Sequence, residues 1–273
     1  MAYIFDGRKF AEVKERALKR SVLSLQEKGI TPTLVAILTG ENPASKLYVG
    51  LKKKAAERIG ARFKLIRLSK VSKEELVHLI KEYNQSNEVH GIMVQLPIDG
   101  IISRETTREI LSRIDPKKDV DGESGSGNYP AATVRAVLYA LEDAQSRGFL
   151  GNRDKIIACV VGATGMVGSA LVKELEAMRV RVIKCNTKTS NLQGETLEAD
   201  LLVSVTGSPG IIKKNMVRQG AVVIDVGSPK PDVEESVREV ASFITPVPGG
   251  IGPMTVVCLM ENVVEAAERK VNT

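Results

Sequence analysis

A helix near the start of the chain would carry three side chains able to hold a polar ring and move a proton. Ser45, Tyr48 and Lys52 are spaced i, i+3 and i+7, which places them on one helical face. Asn42 is a favoured N-cap and Pro43 suits the first turn, so we predict that a helix begins here. A hydroxyl, a phenol and an ammonium group on one face suggest proton transfer on a bound heterocycle. A solvated basic helix whose tyrosine only packs has the same spacing, so other stretches must decide between the two interpretations.

Two later stretches place polar side chains where ligands gather in α/β sheets, beyond the carboxyl ends of strands. Gln95 ends the run 91–95, which predicts a buried strand. It is either a loop residue of no consequence or a polar group aimed at Lys52. The stretch 118–122, Lys-Asp-Val-Asp-Gly, has two acids beside a glycine. This pattern predicts either an Asx-type turn or a carboxylate that accepts hydrogen bonds from an amino-heterocycle.

A glycine-rich stretch predicts a second kind of site. Gly162, Gly165 and Gly168 lie between a predicted strand and a predicted helix. Glycines at such a turn let a pyrophosphate approach the backbone and sit at the helix N-terminus. Their spacing is G-x-x-G-x-x-G instead of the usual G-x-G-x-x-G, so a plain tight turn is the alternative. The position within a strand–helix–strand unit favours dinucleotide binding.

The end of the following strand bears on which dinucleotide is bound. Enzymes that use NAD usually place Asp or Glu there, about 20 residues on, to hold the ribose 2′-hydroxyl. This chain has Lys-Cys-Asn-Thr-Lys at 184–188, with two lysines and no acid. These charges would stabilise a 2′-phosphate, whereas a bare hydroxyl would lose its usual partner. The stretch therefore favours NADP.

Apolar runs and amphipathic stretches alternate along the chain, which predicts an α/β fold with parallel sheets and helices on both faces. The segment 115–129, rich in Gly, Ser and Asp, interrupts the alternation and is typical of an interdomain connection. The predicted strands are 33–38, 62–68, 91–95, 156–161, 180–184, 201–205 and 222–225. The predicted helices are 5–28, the stretch after Asn42, 73–84, 103–114, 132–145 and 255–270.

The composition is that of a soluble globular protein, since the 273 residues are 43% apolar and 26% charged. No apolar run approaches the roughly 18 residues of a membrane span, and the N-terminus lacks the features of a signal peptide. Cys159, Cys185 and Cys258 are odd in number and scattered, which indicates reduced thiols. We therefore expect a cytoplasmic protein.

The net charge of +6 raises the question of nucleic-acid binding. Basic residues alternate with acids along most predicted helices, only 4% of residues are aromatic, and Trp is absent. Few platforms for base stacking are available, and a basic cleft for an anionic small molecule explains the charge better. His78 and His90 have no second histidine or acid at ligand spacing, so we take both as structural and predict no metal site.

Four motifs occur in an order that resembles one known family. They are Pro43-Ala44-Ser45 with Tyr48 and Lys52, then Val94-Gln95-Leu96-Pro97, then 118–122, then Thr-Pro-Val-Pro-Gly-Gly-Ile-Gly-Pro-Met-Thr at 245–255. The chain resembles the bifunctional methylenetetrahydrofolate dehydrogenase/methenyltetrahydrofolate cyclohydrolase family over nearly its whole length, and the last motif is highly specific. The resemblance implies an oxidoreductase and hydrolase of one-carbon metabolism, with tetrahydrofolate substrates, NADP as cofactor and a homodimeric assembly.

The resemblance also implies two α/β domains. The first is a folate-binding catalytic domain with a parallel sheet at 1–125, completed by the C-terminal helix 255–273. The second is a Rossmann-like NADP-binding domain at 126–254. In the family the two domains face a cleft that holds the folate.

By motif, the family's functional residues map onto individual positions of this chain. Lys52 is similar to the catalytic lysine, Gln95 to its partner and Ser45 to a helper near it. Tyr48 is similar to the tyrosine that stacks on the folate, and Asp121 to the acid that grips the pterin. The remaining substrate-binding positions implied are Leu96, Pro97, Pro248, Gly249 and Gly250, and the cofactor-binding positions are Gly162, Ala163, Thr164, Gly165, Val167, Thr187, Lys188 and Ser228.

The chain departs from the family's pattern in four places. The usual arginine and serine after the first glycine are Ala163 and Thr164, and the usual His-Ser pair is Asn186-Thr187. The segment 123–133 and the loop around 229–233 are both shortened. Lys184 and Lys188 could take over the role of the missing arginine.

Two other functions compete with the one that the resemblance implies. An NADP dehydrogenase resembling shikimate dehydrogenase would use a Lys and Asp pair on a hydroxy acid, but the Pro-Val-Pro-Gly-Gly run argues against it. A non-enzymatic basic protein would bind nucleic acid in a salt-sensitive way.

Overall fold

The computed structural model describes residues 1–101, 103–125, 127–152 and 155–271. Two compact units make up the chain. The N-terminal unit consists of Glu12–Ala132 and Val256–Thr273, and the C-terminal unit of Met1–Ala11 and Thr133–Thr255. Each unit is therefore built from two separate stretches of sequence. No helix within the described ranges is long and apolar enough to cross a membrane.

Strands and helices alternate along most of the chain, and each predicted strand is present with ends within one residue of the predicted ones. The first half contains β1 (Tyr3–Ile4), α1 (Gly7–Glu27), β2 (Thr33–Thr39), α2 (Pro43–Ile59), β3 (Arg62–Leu68), α3 (Lys73–Gln85), β4 (Gly91–Gln95) and α4 (Arg104–Leu111). The second half contains α5 (Ala132–Ser146), β5 (Ile157–Val161), α6 (Met166–Ala177), β6 (Arg181–Cys185), α7 (Leu192–Leu197), β7 (Leu201–Ser204), β8 (Val222–Asp225), β9 (Phe243–Ile244) and α8 (Ile251–Val271).

The N-terminal unit is organised around a parallel sheet with the strand order β3-β2-β4. The central strand β2 is buried along its whole length, as expected for a parallel strand covered on both faces. Residues 118–121 continue alongside β4, because Ile92 forms a parallel bridge with Asp119 and its amide donates to the Lys118 carbonyl at 2.8 Å. The segment after Asp119 therefore runs towards the carboxyl end of β4.

The last helix, α8, belongs to the N-terminal unit from Val256 onwards. Its fully buried Asn262 donates from Nδ2 to the carbonyls of Val120 and Pro130, at 2.7 and 3.0 Å. The return of the chain to the first unit is thus confirmed. The helix begins at Ile251 and not near 255 as predicted, because Pro253 falls in the first turn, where a missing N–H costs no hydrogen bond.

The C-terminal unit contains a parallel sheet with the strand order β1-β9-β8-β7-β5-β6. From β5 the chain adds β6 on one side and then β7, β8 and β9 on the other. This is a doubly wound order whose switch point lies between β5 and β7, where ligands bind in such sheets. The prediction of a Rossmann-like fold is confirmed.

Two strands of this sheet were not predicted. Tyr3 pairs with Phe243, so that β1 joins the edge strand β9, and the Phe5 amide donates to the Ile244 carbonyl at 2.9 Å. These contacts keep Phe5 out of the first helix, which begins at Gly7 and not at residue 5 as predicted. Strands of two residues are too short to show any periodicity in the sequence.

Candidate functional site

Lys52 is a buried lysine whose Nζ lies between two side chains from other parts of the N-terminal unit. The residue is only 8% exposed. Its Nζ donates to Gln95 Oε1 at 3.3 Å and to Asp121 Oδ2 at 3.4 Å. Of the two predicted interpretations of α2, the solvated basic helix is therefore wrong at Lys52, because its ammonium group is removed from bulk water and paired.

Helix α2 forms where the sequence predicted it. Asn42 caps the helix, since its Oδ1 accepts from the amides of Ala44 and Ser45 at 2.9 and 3.2 Å, and Pro43 is the first helical residue. Gly60 ends the helix in the left-handed conformation, with φ at +84°. With both ends of the helix fixed, Ser45 and Lys52 lie on the buried face of α2.

Gln95 and Ser45 share one acceptor. Gln95 Nε2 donates to the Leu96 carbonyl at 2.9 Å, and Ser45 Oγ donates to the same oxygen at 3.4 Å. Because the amide nitrogen of Gln95 is used in this way, its Oε1 is left to accept from Lys52. The four residues therefore form a connected hydrogen-bonded set, which together with Asp121 we call the Lys52 cluster: Ser45, Lys52, Gln95, Leu96 and Asp121.

Two other predicted substrate-binding residues lie next to this cluster in the chain. Tyr48 is on the same helix as Lys52, one turn earlier, and is half-buried. Pro97 follows Leu96 through a cis peptide bond and is exposed. The N-terminal unit thus connects Ser45, Lys52 and Gln95 by hydrogen bonds, with Tyr48 one helical turn before Lys52.

Asp121 reaches Lys52 because a neighbouring acid shapes the turn that carries it. Asp119 is 1% exposed and accepts from the amides of Gly122 and Ser124, both at 3.1 Å, and from the Ser124 hydroxyl. Gly122 has φ of +70°, and an added Cβ would meet the Ala131 Cα at 2.5 Å, so no other residue fits. The stretch therefore contains the Asx-type turn that the sequence allowed, at Asp119, and it also brings the Asp121 carboxylate to Lys52. A hydrogen bond from Asp121 to an amino-heterocycle stays a prediction.

A further acid near Lys52 was missed by sequence reasoning. Burial and the nearby Asp121 carboxylate, opposed by Lys52, together raise the pKa of Glu123 to about 8. Burial likewise raises the pKa of Asp119, against the hydrogen bonds from Ser124. Three acids at alternate positions, 119, 121 and 123, beside a Gly-Ser-rich stretch were the available signal, but their burial depends on the turn and could not be inferred from their spacing.

The glycine loop of the C-terminal unit, residues 162–168, lies at the switch point of the sheet. Gly162 has φ of +94°, and an added Cβ would meet the Val205 carbonyl oxygen at 2.6 Å, so the loop passes directly against the end of β7. An added Cβ at Gly168 would meet the Gly162 oxygen at 2.2 Å. Glycine is therefore required at both positions for the helix to pack against the loop.

The start of α6 offers free backbone donors. Gly165 is its N-cap and provides no side-chain hydrogen bond to the first turn, so the amides there depend on water or a ligand. Amides at a helix N-terminus in a doubly wound sheet suit the pyrophosphate of a dinucleotide. Ala163 is buried in the loop, Thr164 is exposed, and Val167 is in the first turn of α6.

The other predicted cofactor positions lie beyond the carboxyl ends of β6 and β8. Thr187 and Lys188 follow β6 and are exposed, and Ser228 is exposed beyond β8. Lys184 differs from Lys188, since its Nζ pairs with Glu176 of α6 at 2.7 Å. Because parallel strands end at one edge of a sheet, these residues share that edge with the glycine loop.

Two buried acids that no motif singled out shape the loops after β7 and β8. Asp232 Oδ2 accepts from the Ser204 hydroxyl at 2.9 Å and from the Thr206 amide at 2.8 Å. Asp225 accepts from the Gly227 and Val233 amides at 2.7 and 3.0 Å, and burial raises the pKa of Asp225 to about 6. These hydrogen bonds set the backbone that leads into Ser228.

The predicted substrate loop Pro248-Gly249-Gly250 belongs to the C-terminal unit. Gly249 has φ of +111°, and the Gly250 amide donates to the Pro246 carbonyl at 2.8 Å. An added Cβ at Gly7 would meet the Gly250 oxygen at 2.0 Å. The first turn of α1 therefore lies directly against this loop, and Gly7 is a further position where only glycine fits.

Family models account for both halves of the chain. Residues 5–121 match the tetrahydrofolate dehydrogenase/cyclohydrolase catalytic domain, and residues 131–271 match the NAD(P)-binding domain of the same enzymes. The chain belongs to the tetrahydrofolate dehydrogenase/cyclohydrolase family. The second match makes the C-terminal unit an NAD(P)-binding domain, in agreement with its glycine loop.

Relatives and solved structures agree with this assignment. The bifunctional protein FolD of Lactococcus lactis subsp. cremoris is 40% identical, with 98% of each chain covered. The crystal structure of the bifunctional FolD enzyme from Campylobacter jejuni is 34% identical, with a TM-score of 0.89 over 99% of this chain and 100% of that one. FolD from Trypanosoma brucei, complexed with NADP cofactor and an inhibitor, is 29% identical, with a TM-score of 0.89 over 100% of this chain and 99% of that one.

Within the described ranges of this chain, no three or more His, Cys, Asp or Glu side chains form a group that could hold a metal ion. His90 is a buried ring whose Nδ1 accepts from the Thr33 amide at 3.2 Å. Burial, with a smaller contribution from the charges of Lys270 and Lys118, lowers the pKa of His90 to about 4. The ring is therefore neutral at physiological pH and links the start of β2 to the residue before β4.

Proposed function

We propose that this chain oxidises 5,10-methylenetetrahydrofolate to the 5,10-methenyl compound with NADP⁺ and hydrolyses that product to 10-formyltetrahydrofolate. The observation that carries the proposal is the buried Lys52, paired with Gln95 and Asp121 in a member of the tetrahydrofolate dehydrogenase/cyclohydrolase family. The N-terminal unit provides the proton-transfer and folate-binding residues. The C-terminal unit provides the dinucleotide-binding residues.

The oxidation needs positioning and no acid or base from the protein. Hydride leaves a methylene bridge between two nitrogens, and the nitrogen lone pairs stabilise the cation that forms. NADP⁺ supplies the hydride acceptor. The amides at the start of α6 and the glycines of the loop would hold its pyrophosphate, with Thr187, Lys188 and Ser228 at the same sheet edge for the rest of the dinucleotide. The protein therefore accelerates this step by orientation.

The hydrolysis needs a group that moves protons. Water adds to the methenyl carbon and forms a C–O bond, while its proton passes to the neutral amine of Lys52. One C–N bond then breaks with its electron pair on nitrogen, and the added hydroxyl loses its proton to solvent as the formyl C=O forms. The Lys52 ammonium returns a proton to the nitrogen that left. Gln95 and Asp121 hold the Nζ of Lys52 in place during both transfers.

Asp121 and Tyr48 bind the pterin in this proposal. A carboxylate accepts two hydrogen bonds side by side, which matches the paired donors of an aminopyrimidinone ring. Asp121 is 14% exposed at its side chain, so it is accessible to a ligand while it pairs with Lys52. The half-buried Tyr48 ring offers a flat apolar face for stacking.

The assembly and location follow from the same proposal. We expect a homodimer in the cytoplasm, with reduced cysteines, as Cys159, Cys185 and Cys258 are all buried. Sedimentation equilibrium of the purified chain checks the oligomeric state.

A single assay tests the proposed reactions. Purified protein is given methylenetetrahydrofolate with NADP⁺ or NAD⁺, and reduced nucleotide and the methenyl compound are followed at separate wavelengths. We expect formation of NADPH with little accumulation of the methenyl compound. A panel of hydroxy acids, including shikimate, serves as the comparison. Turnover of a hydroxy acid without turnover of the folate would establish the rival dehydrogenase.

A further inference from the structure

A cavity lies at the amino ends of β2 and β4, entirely within the N-terminal unit. Its volume is about 380 Å³, which lies in the range of clefts that bind small molecules. Thr33 begins β2 and His90 precedes β4, and both residues line the cavity. Gln95 of the Lys52 cluster ends β4, so at roughly 3.3 Å per residue the strand separates the two regions by about 15 Å. The cavity is therefore distinct from the proposed catalytic site.

His90 places an unused hydrogen-bond donor at the wall of this cavity. The residue is 7% exposed, and its Nδ1 accepts from the Thr33 amide at 3.2 Å. A neutral imidazole that accepts at Nδ1 carries its proton at Nε2, and Nε2 has no acceptor in the part of the chain that the structure describes. Among the described residues, the buried side-chain atom that lacks any partner is Oδ1 of Asp232. Nε2 of His90 is therefore open to the cavity, where its donor needs an acceptor.

Basic side chains surround this donor. Arg62 begins β3 and Lys270 lies in the last turn of α8, and both line the cavity. The charges of Lys270 and Lys118 act on the His90 ring and, with burial as the main cause, bring its pKa to about 4, so Nε2–H is a neutral donor at physiological pH. Glu88 is the acid among the lining residues. Its carboxylate is 4.0 Å from Arg62 and its side chain is 85% exposed, so the cavity keeps an excess of positive charge.

We propose that this cavity binds a small anion that carries a phosphate group, held by Nε2–H of His90 and by the side chains of Arg62 and Lys270. A phosphate group has three acceptor oxygens, which suit one neutral donor and two cations. The ion pair between Arg62 and Glu88 is long and exposed, so little is lost when the guanidinium turns to a ligand. No residue of the Lys52 cluster lines the cavity, so this site does not depend on the reactions proposed above.

The two histidines of the chain allow a direct test in the wild-type protein. With ¹⁵N in the histidine rings, His90 reports on the cavity, and His78, exposed on α3, serves as the internal control. Inorganic phosphate and glycerol 3-phosphate are titrated at constant pH and ionic strength, with acetate as a contrasting anion. We expect the Nε2–H resonance of His90 to shift and saturate while the His78 ring stays unchanged. The phosphate compound that saturates at lower concentration identifies free phosphate or an ester as the better ligand.

Three results of this titration would overturn the proposal. They are an unchanged His90 resonance with both phosphate compounds, equal shifts of the two histidine rings, and saturation by acetate at the same concentrations. The readout is binding and not turnover, so failure of this proposal leaves the proposed function standing, and the reverse also holds.

Variants at exposed positions test the charges without disturbing the core. Arg62→Gln should raise the Kd of the phosphate compound by about tenfold, as for the loss of one charge-assisted hydrogen bond. Arg67→Gln makes the same charge change at an exposed position near the other end of β3, and its Kd should equal that of the wild type. Glu88→Gln removes the competing acid and should lower the Kd by about threefold. Equal weakening in the two arginine variants, or unchanged binding in Glu88→Gln, would show that these side chains do not form a phosphate site.

Discussion

The Lys52 cluster and the glycine loop are built in opposite ways. In the N-terminal unit, side chains from α2, β4 and the turn after Asp119 converge on one buried Nζ. In the C-terminal unit, three of the seven residues of the loop 162–168 are glycines, and the loop is shaped by close backbone contacts between Gly162, Gly168 and the end of β7. One site works through functional groups, whereas the other exposes backbone amides.

This difference separates the two chemical demands of the proposed function. A proton transfer needs a specific amine whose surroundings control its charge. A hydride transfer needs only that the dinucleotide be held at a fixed place. Variants in the two regions should therefore affect the two activities separately, and the following variants test that separation in order of decreasing expected effect.

Lys52→Met should have the largest effect, and only on hydrolysis. The thioether can neither accept nor return a proton, so cyclohydrolase activity should fall by about 10²- to 10⁴-fold, while some dehydrogenase activity remains. Hydrolysis of purified methenyl compound and formation of NADPH are measured in parallel. Lys54→Met, an exposed lysine on the same helix, controls for the loss of charge and should keep both activities. Undiminished hydrolysis in Lys52→Met would remove this residue from the mechanism.

Asp121→Asn should weaken both activities, but not equally. The proposed folate anchor serves both steps, so both should fall by about 30-fold, the equivalent of losing one charged hydrogen bond of about 2 kcal/mol. The contact between Asp121 Oδ2 and Lys52 at 3.4 Å adds a further loss that applies to hydrolysis alone. The KM for NADP⁺ should not change.

Steady-state constants for folate and NADP⁺, measured for each reaction, test this expectation. Asp119→Asn is not a suitable control, because it would disturb the turn. Asp6→Asn, at an exposed position near the N-terminus, makes the same change away from the cluster. A variant with weaker NADP⁺ binding and normal folate binding would show that Asp121 does not anchor the folate.

The sequence predicted the side-chain site better than its electrostatics. Lys52, Gln95 and Asp121 could be found because their residue types and their positions at a helix face and at strand ends are informative. The charge behaviour of Glu123 could not be found, because it depends on how deeply the turn around Asp119 buries it. Spacing reports which residues share a face, but it does not report which of them lose contact with water.

The backbone-built site shows the complementary limit. The glycines at 162, 165 and 168 predicted a turn and a dinucleotide, and the NAD(P)-binding domain is confirmed. The partners of the lysines after β6 could not be predicted, since Lys184 pairs with Glu176 on the preceding helix. Likewise, β1 is only two residues long and forms because β9 is there to pair with it, which is a long-range effect.

Gly162→Ala should impair the dehydrogenase alone. The added methyl group would strain a backbone with φ of +94° and meet the Val205 oxygen at 2.6 Å, so the loop must move and the KM for NADP⁺ should rise by about tenfold. Overpacking of this kind costs about 1–3 kcal/mol of stability. Hydrolysis of added methenyl compound should continue at the wild-type rate at a temperature well below the unfolding midpoint.

Gly252→Ala provides the matched control for the glycine loop. An added Cβ there meets nothing within 4 Å, and the residue lies in the helix α8, where Ala is favoured over Gly by about 1 kcal/mol. Its KM for NADP⁺ should equal that of the wild type. If Gly162→Ala lowered hydrolysis as much as oxidation, the two regions would not be functionally separate.

The smallest expected effect concerns the choice between NADP⁺ and NAD⁺. Lys188 is exposed beyond β6, and its amide donates to Asn186 Oδ1 at 2.8 Å, which leaves the ammonium group at the end of a fixed turn. Lys184 is engaged with Glu176. Lys188 should therefore stabilise a bound 2′-phosphate more than Lys184 does.

Because exposed ion pairs are weak, Lys188→Ala should raise the KM for NADP⁺ by about fivefold, with little change in the KM for NAD⁺. Lys184→Ala should raise the KM for NADP⁺ by less. Equal changes for both nucleotides in Lys188→Ala would place the selectivity elsewhere, with Thr164 and Thr187 as the next positions to vary.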